Sequence, residues 1–315
     1  MSTSDKHKIT ISIIIVNYKS WGHVENCLQS IDQFNDNSFS IEVIVVDNNS
    51  DEGKIKAFSE QFPQYQFISN IGNNGFSNAN NLGTQHANGQ YFLFLNPDTI
   101  INSEAIKTML AISQKHENYG IISCTKLNNE GKAEKEIRFF PKLYSLFGLS
   151  RALIKFVNKQ KIKEKFDQHK NIIYPDWVSG SVIFMSKKWF NSIGKWNEDY
   201  WLYLEDVDLC KRVKNAGGLV ALTRATSVVH NHGGASRINL RTTALTKSEV
   251  FVSKHVYIHN HFGKLQKIIA QMMLVTIVLT TQFVWAILGL IFFYIPKFYL
   301  HFLIYFFYLR NIVFY

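Results

Sequence analysis

The chain has 315 residues, enough for one large α/β domain with an appendage and a substantial core. Its formal charge of +10 suits anionic lipid or phosphate-bearing ligands; no zinc-finger spacing, recognition-helix pattern or aromatic RNA-binding motif accompanies it, so nucleic acid is not an expected partner. Cys27, Cys124 and Cys210 lie far apart without a CxxC pair, which excludes a disulfide framework or zinc site and fits a reducing compartment.

The first apolar run, Ile9 to Val16, follows Lys6, His7 and Lys8. It is short for a signal peptide, breaks into Asn17-Tyr18-Lys19 and lacks a small-residue cleavage site. Its β-branched content predicts a buried strand at Ile11 to Val16. Helical spacing follows at Trp21 to Ile31, then a buried strand at Ile41 to Val46 and a helix through Lys54 to Glu60. Tyr65 to Ile68 reads as a short strand, Asn78 to His86 as a helix and Tyr91 to Leu95 as another buried strand. This alternation predicts an α/β fold with an open, doubly wound, mostly parallel sheet, whose ligands bind at the carboxyl ends of the strands. All three early strands end in polar residues: Asn17-Tyr18, Asp47-Asn48-Asn49-Ser50 and Asn96-Pro97-Asp98.

Between Lys142 and Lys170, seven Lys and one Arg oppose only Glu164 and Asp167, interleaved with apolar residues. The stretch is a basic insertion that reads equally as a membrane contact or as a solvated face. The regular pattern resumes at Trp177, with a strand near Val182 to Met185. Glu205-Asp206-Val207-Asp208 opens a helix stopped by Gly217-Gly218, and a strand at Ser227 to Val229 leads into His230-Asn231-His232-Gly233-Gly234. From Ile268 onward the only charged residues are Lys297 and Arg310. Met272 to Ile295 predicts a membrane-crossing helix, about 36 Å long at ~1.5 Å per residue, against a hydrocarbon core of about 30 Å. Phe298 to Tyr315 reads as a second short span, the return arm of a hairpin or an interfacial helix. Lys264 and Lys267 precede the tail and keep the catalytic part cytoplasmic under the positive-inside rule. The expected organisation is a domain over 1–263 and a membrane-associated segment over 264–315.

Several residues at the strand ends carry chemistry. Asp47 reads as a carboxylate for a nucleoside or as a turn residue capping the next helix. The Gly- and Asn-rich stretch Asn70 to Gly83 reads as a diphosphate cradle at a helix N-terminus or as a plain loop. Asp98 reads as an oxygen ligand for Mg²⁺ or Mn²⁺, or as part of an Asx-Pro turn. Glu205, Asp206 and Asp208 cap a helix, yet adjacent carboxylates also raise one another's pKa, which suits a general base. The aromatics of Tyr200 to Leu204 are suited to stacking on sugar. His230 and His232 follow a strand on Asp98's sheet edge, which suits a metal ligand, although lone histidines are commonly structural.

The ordered motifs Ser-Ile-Ile-Ile-Val-Asn-Tyr, Val-Val-Asp-Asn-Asn-Ser, Gly-Phe-Ser-Asn-Ala-Asn-Asn, Leu-Phe-Leu-Asn-Pro-Asp, Gly-Ser-Val-Ile-Phe-Met and Tyr-Leu-Glu-Asp-Val-Asp-Leu-Cys-Lys-Arg resemble glycosyltransferase family 2 over residues 9–240. The nearest likeness is to the rhamnosyltransferase-like subgroup of O-antigen, capsule and cell-wall glycan synthesis. The resemblance implies a GT-A fold, a nucleotide-sugar donor and inversion at the anomeric carbon. It implies donor contacts from Asn17, Asp47, Gly75, Asn81, Asp98, Trp177 and Gly180. Asp98 matches the last acid of the Asp-x-Asp metal motif, which this chain breaks at Asn96. His230, or His232 in its place, matches a histidine that helps hold the metal. Asp206 matches the presumed base, with Glu205 beside it. The Gln-x-x-Arg-Trp signature of processive synthases is absent, implying addition of one sugar or a few. The implied donor is dTDP-rhamnose, with UDP-galactose or UDP-N-acetylglucosamine as the alternative and an inactive membrane scaffold as a third reading. The implied acceptor is lipid-linked or an oligosaccharide, at the cytoplasmic face of a bacterial inner membrane.

Overall fold

The computed structural model describes residues 11–36, 38–50, 53–146, 169–231 and 238–312, with residues 157, 160, 162, 164, 166 and 167 between them. Most of the basic insertion, and His232 with the two glycines after it, lie outside the described residues. Packing separates two compact units. One draws on residues 1–140, 163–198 and 206–232, the other on 141–162, 199–205 and 233–315.

The first unit is built on a sheet of nine strands. Four of them, β1 (Ile11–Asn17), β2 (Ile41–Asp47), β3 (Gln66–Ser69) and β4 (Tyr91–Leu95), are parallel to one another in the order β3-β2-β1-β4. Every residue of β1 is buried, as expected of a central parallel strand covered on both faces. Helices α1 (Trp21–Asp32), α2 (Lys54–Gln61) and α3 (Gly75–Gln85) connect these strands. Helix α3 starts three residues earlier than the sequence pattern suggests, because Gly75 turns the chain in with φ 90°.

The other half of the sheet contains β5 (Thr99–Ile100), β6 (Tyr119–Leu127), β7 (Ile172–Ile173), β8 (Val182–Ser186) and β9 (Leu219–His230). Here the direction is mixed: β8 lies between β4 and β6 and runs antiparallel to both, β6 and β9 are parallel, and β5 and β7 run antiparallel to β9. Strand β9 is far longer than the expected Ser227 to Val229. Its register against β6 slips between Cys124 and Thr125, and this irregularity accommodates Arg224, which bonds Glu136 at 2.7 Å. Helix α4 (Ser103–Lys115), capped by the Asn102 side chain on Ala105 N–H at 2.8 Å, and β6 have no counterpart in the sequence reading. Helices α5 (Lys187–Ser192) and α6 (Glu205–Asn215) follow β8 and precede β9 in the chain.

The second unit contains α7 (Leu240–His261), α8 (Lys264–Ile291) and α9 (Pro296–Asn311). The long apolar stretch is one helix only as far as Ile291; the chain then turns, and Pro296 opens α9 at a position where its missing N–H costs nothing. Helices α8 and α9 form an antiparallel hairpin, with Trp285 stacked on His301 at 5.1 Å and Phe283 meeting Tyr305 at 6.1 Å. Gly289 permits the approach, since a Cβ there would lie 2.9 Å from Phe302 Cβ. Helix α7 joins the hairpin through a buried polar seam: His255 bonds Gln271 and the Tyr308 hydroxyl, and Gln271 donates to the His255 carbonyl at 2.9 Å. Helix α8 is long and apolar enough to cross a membrane by length and composition, and only 22% of its most apolar window is buried.

Helix α3 lies close against the parallel half through Gly83, where a Cβ would stand 2.6 Å from Ile14 Cγ2. Gly83→Ala should therefore lower stability by about 1–3 kcal/mol through overpacking. A denaturation midpoint at or above that of the wild type would remove this contact as a packing constraint.

Candidate active site

The carboxyl edge of the parallel half is closed by side chains. Asn17 and Asp47 are direct register partners, and Asn17 Nδ2 donates to Asp47 Oδ1 at 2.7 Å. Ser50 donates its N–H to Asp47 Oδ2 at 3.0 Å and its hydroxyl to Oδ1, while Lys19 N–H donates to Ser50 Oγ at 2.8 Å. Lys19 and Asn49 adopt left-handed φ values of 51° and 60°, so both strands turn sharply at this edge. Asp47 is only 6% exposed, and these bonds serve its turn as well as any ligand.

The Asn-rich loop is a lattice of amides. Asn48 bonds Asn73 at 2.7 Å and the Gly75 carbonyl at 3.2 Å; Asn70 bonds Asn48 and Asn78. Asn81 donates to the Trp196 carbonyl and to Glu198, so its amide fixes the loop after α5. Of the aromatic cluster before α6, Tyr200 is buried. Tyr203 and Leu204 take successive left-handed φ values of 70° and 63°, strain of about 1–3 kcal/mol each of the kind found at functional sites.

Asp98 follows β4 at the turn into β5. Thr99 pairs with His230 across the sheet, Asn231 N–H donates to the Asp98 carbonyl at 2.8 Å, and His230 Nε2 lies 3.3 Å from Asp98 Oδ1. His230 Nδ1 meets Glu134 Oε1 at 2.6 Å. Burial alone would depress the imidazole's pKa, but hydrogen bonds to Asp98 and Glu134 outweigh it and lift the pKa to about 9. Among the described residues no three His, Cys, Asp or Glu side chains form a ready metal cage. Once a cation displaces the Nε2 proton of the imidazolium, Asp98 and His230 offer one oxygen and one nitrogen side by side, with Glu134 behind the ring. That donor set fits Mg²⁺ or Mn²⁺ whose remaining ligands come from a diphosphate and water.

Asp206 stands in the first turn of α6. Gly180 N–H donates to its Oδ2 at 3.0 Å, and Val207 N–H bonds its Oδ1 at 2.7 Å. A Cβ at position 180 would sit in ordinary van der Waals contact, 3.5 Å from Phe76 Cε1 and 3.6 Å from Asp206 Cβ. Burial pushes Asp206 above the ordinary carboxylate range, against those two N–H groups and the charges of Arg138 and Lys126. Asp208 differs, since Arg212 Nε and Nη2 both reach its Oδ2 at 2.7 Å. Glu205 is buried. Trp177 donates its indole N–H to the Phe139 carbonyl and carries the Arg138 guanidinium 4.5 Å above its ring. A small cleft is lined by Trp177, Ser179, Lys126, Glu134 and Arg138.

The structure thus joins Asp98, His230, Gly180 and Asp206 through residues that the sequence reading missed: Lys126, Glu134, Arg138 and Ser181. Lys126 is a buried cation at the end of β6 that donates to Ser181 Oγ at 3.1 Å and lies 3.4 Å from Glu134. Ser181 lies within the Gly-Ser-Val-Ile-Phe-Met motif, while the signal for the three charged residues is the Asn-Asn-Glu-Gly turn after an apolar run, flanked by charges.

Fold and edge together define an enzyme of the GT-A type. Residues 12–178 match the model described as glycosyl transferase family 2, and the chain belongs to that family of sugar-transferring enzymes. It is 31% identical over 227 residues to the low-salt glycan biosynthesis hexosyltransferase Agl10 of Haloferax volcanii, covering 70% of this chain and 67% of the relative. It is 23% identical to the N-acetylglucosaminyl-diphospho-decaprenol L-rhamnosyltransferase of Mycobacterium tuberculosis, covering 70% of this chain and 76% of the relative. The fold is shared with GalNAc-T7, solved with UDP, GalNAc and Mn²⁺, at a TM-score of 0.56 and 14% identity. That likeness covers 79% of this chain and 48% of the solved one.

With Asp206 in the role of base that the resemblance implies, turnover should rise with pH as its carboxyl loses its proton. Lys126 favours the ionised form, and Lys126→Met should move the acid limb of kcat to higher pH. An unmoved limb would take Lys126 out of Asp206's electrostatic surroundings.

Proposed function

We propose that this glycosyltransferase moves one sugar, or a few, with inversion from a nucleotide donor to a hydroxyl of a lipid-linked glycan. The observation that carries this reading is the placement of a half-buried carboxylate, Asp206, on Gly180, one residue from the Ser181 hydroxyl that Lys126 ties toward the Asp98–His230 pair. The acceptor oxygen bonds to the anomeric carbon as the bond to the diphosphate breaks, and its proton passes to Asp206. Asp98 and His230 would hold the divalent ion, which supplies charge neutralisation for the departing diphosphate. Asn17, Asp47, Gly75 and Trp177 are the proposed donor-side residues, with Asn81 and Glu205 shaping the loops around them.

dTDP-rhamnose is the first donor to test, in keeping with the rhamnosyltransferase among the relatives. A UDP-hexose is the second, favoured by the higher identity to a hexosyltransferase. The acceptor named in the mycobacterial relative is prenyl-linked, which supports a similar acceptor here. So does the α8–α9 hairpin, with Met272, Phe283, Val284, Trp285 and Leu290 exposed on α8. Thr280 and Thr281, also exposed, donate their hydroxyls to the Thr276 and Ile277 carbonyls, so neither hydroxyl proton is left unmatched in lipid. We place the hairpin in the cytoplasmic leaflet of a bacterial inner membrane, alongside that acceptor.

Nucleoside-diphosphate release across a panel of dTDP-, UDP- and GDP-sugars tests the reading. Asp206→Asn should lose at least about a hundredfold in kcat with donor affinity nearly intact. Near-wild-type turnover would reassign the base. Asp98→Ala and excess EDTA should each cut turnover severely; full activity in EDTA would shift charge neutralisation to Lys and Arg side chains. Full-length protein should sediment with membranes, and extraction by alkaline carbonate would sink an inserted hairpin.

A further inference from the structure

The turn after β6 carries one acidic side chain into the middle of the site. Leu127 pairs with Ala133 across Asn128 to Gly131, where the Asn128 side chain accepts from Glu130 and Lys132 N–H and Gly131 takes φ 73°. Glu134 N–H then donates to the Lys126 carbonyl at 2.8 Å. Backbone pairing therefore fixes where Glu134 stands. Its two oxygens serve different neighbours: Oε1 is 2.6 Å from His230 Nδ1, whereas Oε2 is 3.4 Å from Lys126 Nζ and 3.8 Å from Arg138 Nη2. Lys126, with its side chain 6% exposed, reaches on to Ser181, the neighbour of the Gly180 that holds Asp206.

We infer that Glu134 is a positioning residue for sugar transfer, orienting His230 toward Asp98 with one oxygen and offsetting the cations beside Asp206 with the other. The inference rests on the transferase reading above. On the first side, a carboxylate behind an imidazole fixes ring and tautomer, leaving Nε2 directed at Asp98. On the second, Lys126 and Arg138 favour the ionised Asp206 and so weaken it as a base, and Glu134 counters them. Within four positions of Asp206 on its own helix the ionisable groups are Glu205, Asp208 and Cys210, with Asp208 paired to Arg212 at 2.7 Å.

Glu134→Gln separates the two roles, because its amide oxygen still accepts from Nδ1–H while the charge is gone. It should lower kcat about tenfold and move the acid limb of kcat to lower pH, opposite to Lys126→Met, with affinity for Mn²⁺ alone, titrated by electron paramagnetic resonance, kept within about threefold. Glu134→Ala should additionally weaken Mn²⁺ binding by about ten- to a hundredfold. If that variant does not fold, Glu134→Asp, which keeps the charge but shortens the reach, carries the Mn²⁺ arm with the same expectation. An unmoved pH limb in Glu134→Gln, or unchanged Mn²⁺ affinity in the shortened variant, overturns the inference. A wild type that turns over no donor overturns the transferase reading instead, and the Mn²⁺ arm still decides whether Glu134 orients His230.

Discussion

Parallel strands that end inside a protein leave backbone groups and a reversal of chain direction to be satisfied at one edge. Here amide and carboxylate side chains meet that demand. The register that sets Asn17 opposite Asp47 allows one short hydrogen bond to brace two strand ends, and Ser50 ties the turn of β2 to that of β1. The asparagines of the next loop then bond to Asn48 and to one another, so the start of α3 is carried by the same cluster. A mouth built this way is shaped before any donor arrives, which limits the ordering cost of binding.

Deeper in the site, the charges alternate. Asp98, His230, Glu134 and Lys126 follow one another at contact distances of 3.3, 2.6 and 3.4 Å, and Lys126 leads by way of Ser181 toward Asp206. An isolated buried charge costs several kcal/mol, whereas an alternating row compensates each member with its neighbours. Losses within such a row are not additive, because every deletion strands the group beside it.

What could be read from the sequence follows from periodicity. Strands β1, β2 and β4 are short apolar runs with polar ends, so their position and the location of the site edge were legible. Asp98, Asp206 and His230 stood out because they end strands or open a helix. Glu134 and Lys126 did not, since a charged residue next to a turn has the same pattern whether it points to solvent or inward. The antiparallel course of β8 was equally hidden: Val182 to Ser186 is an apolar run of no intrinsic direction, and its orientation depends on the excursion that precedes it. Strand β9 was cut short in the reading because Arg224 interrupts its apolar pattern at the register slip. The tail was legible as apolar, but the break at Ile291 depends on Pro296 and on the close approach at Gly289.

The position of β8 also sets an order of assembly. Strands β1 to β4 pair with one another within the first hundred residues, yet the second edge of β4 belongs to β8, which starts at Val182. At a synthesis rate of about 5–20 residues per second, β4 waits roughly 4–17 s on the ribosome with one row of backbone donors and acceptors unpaired. A strand edge so apolar and so long uncovered is a template for the wrong partner. The yield of this enzyme is therefore tied to how quickly residues 96–181 are made and to what shields Tyr91–Leu95 meanwhile.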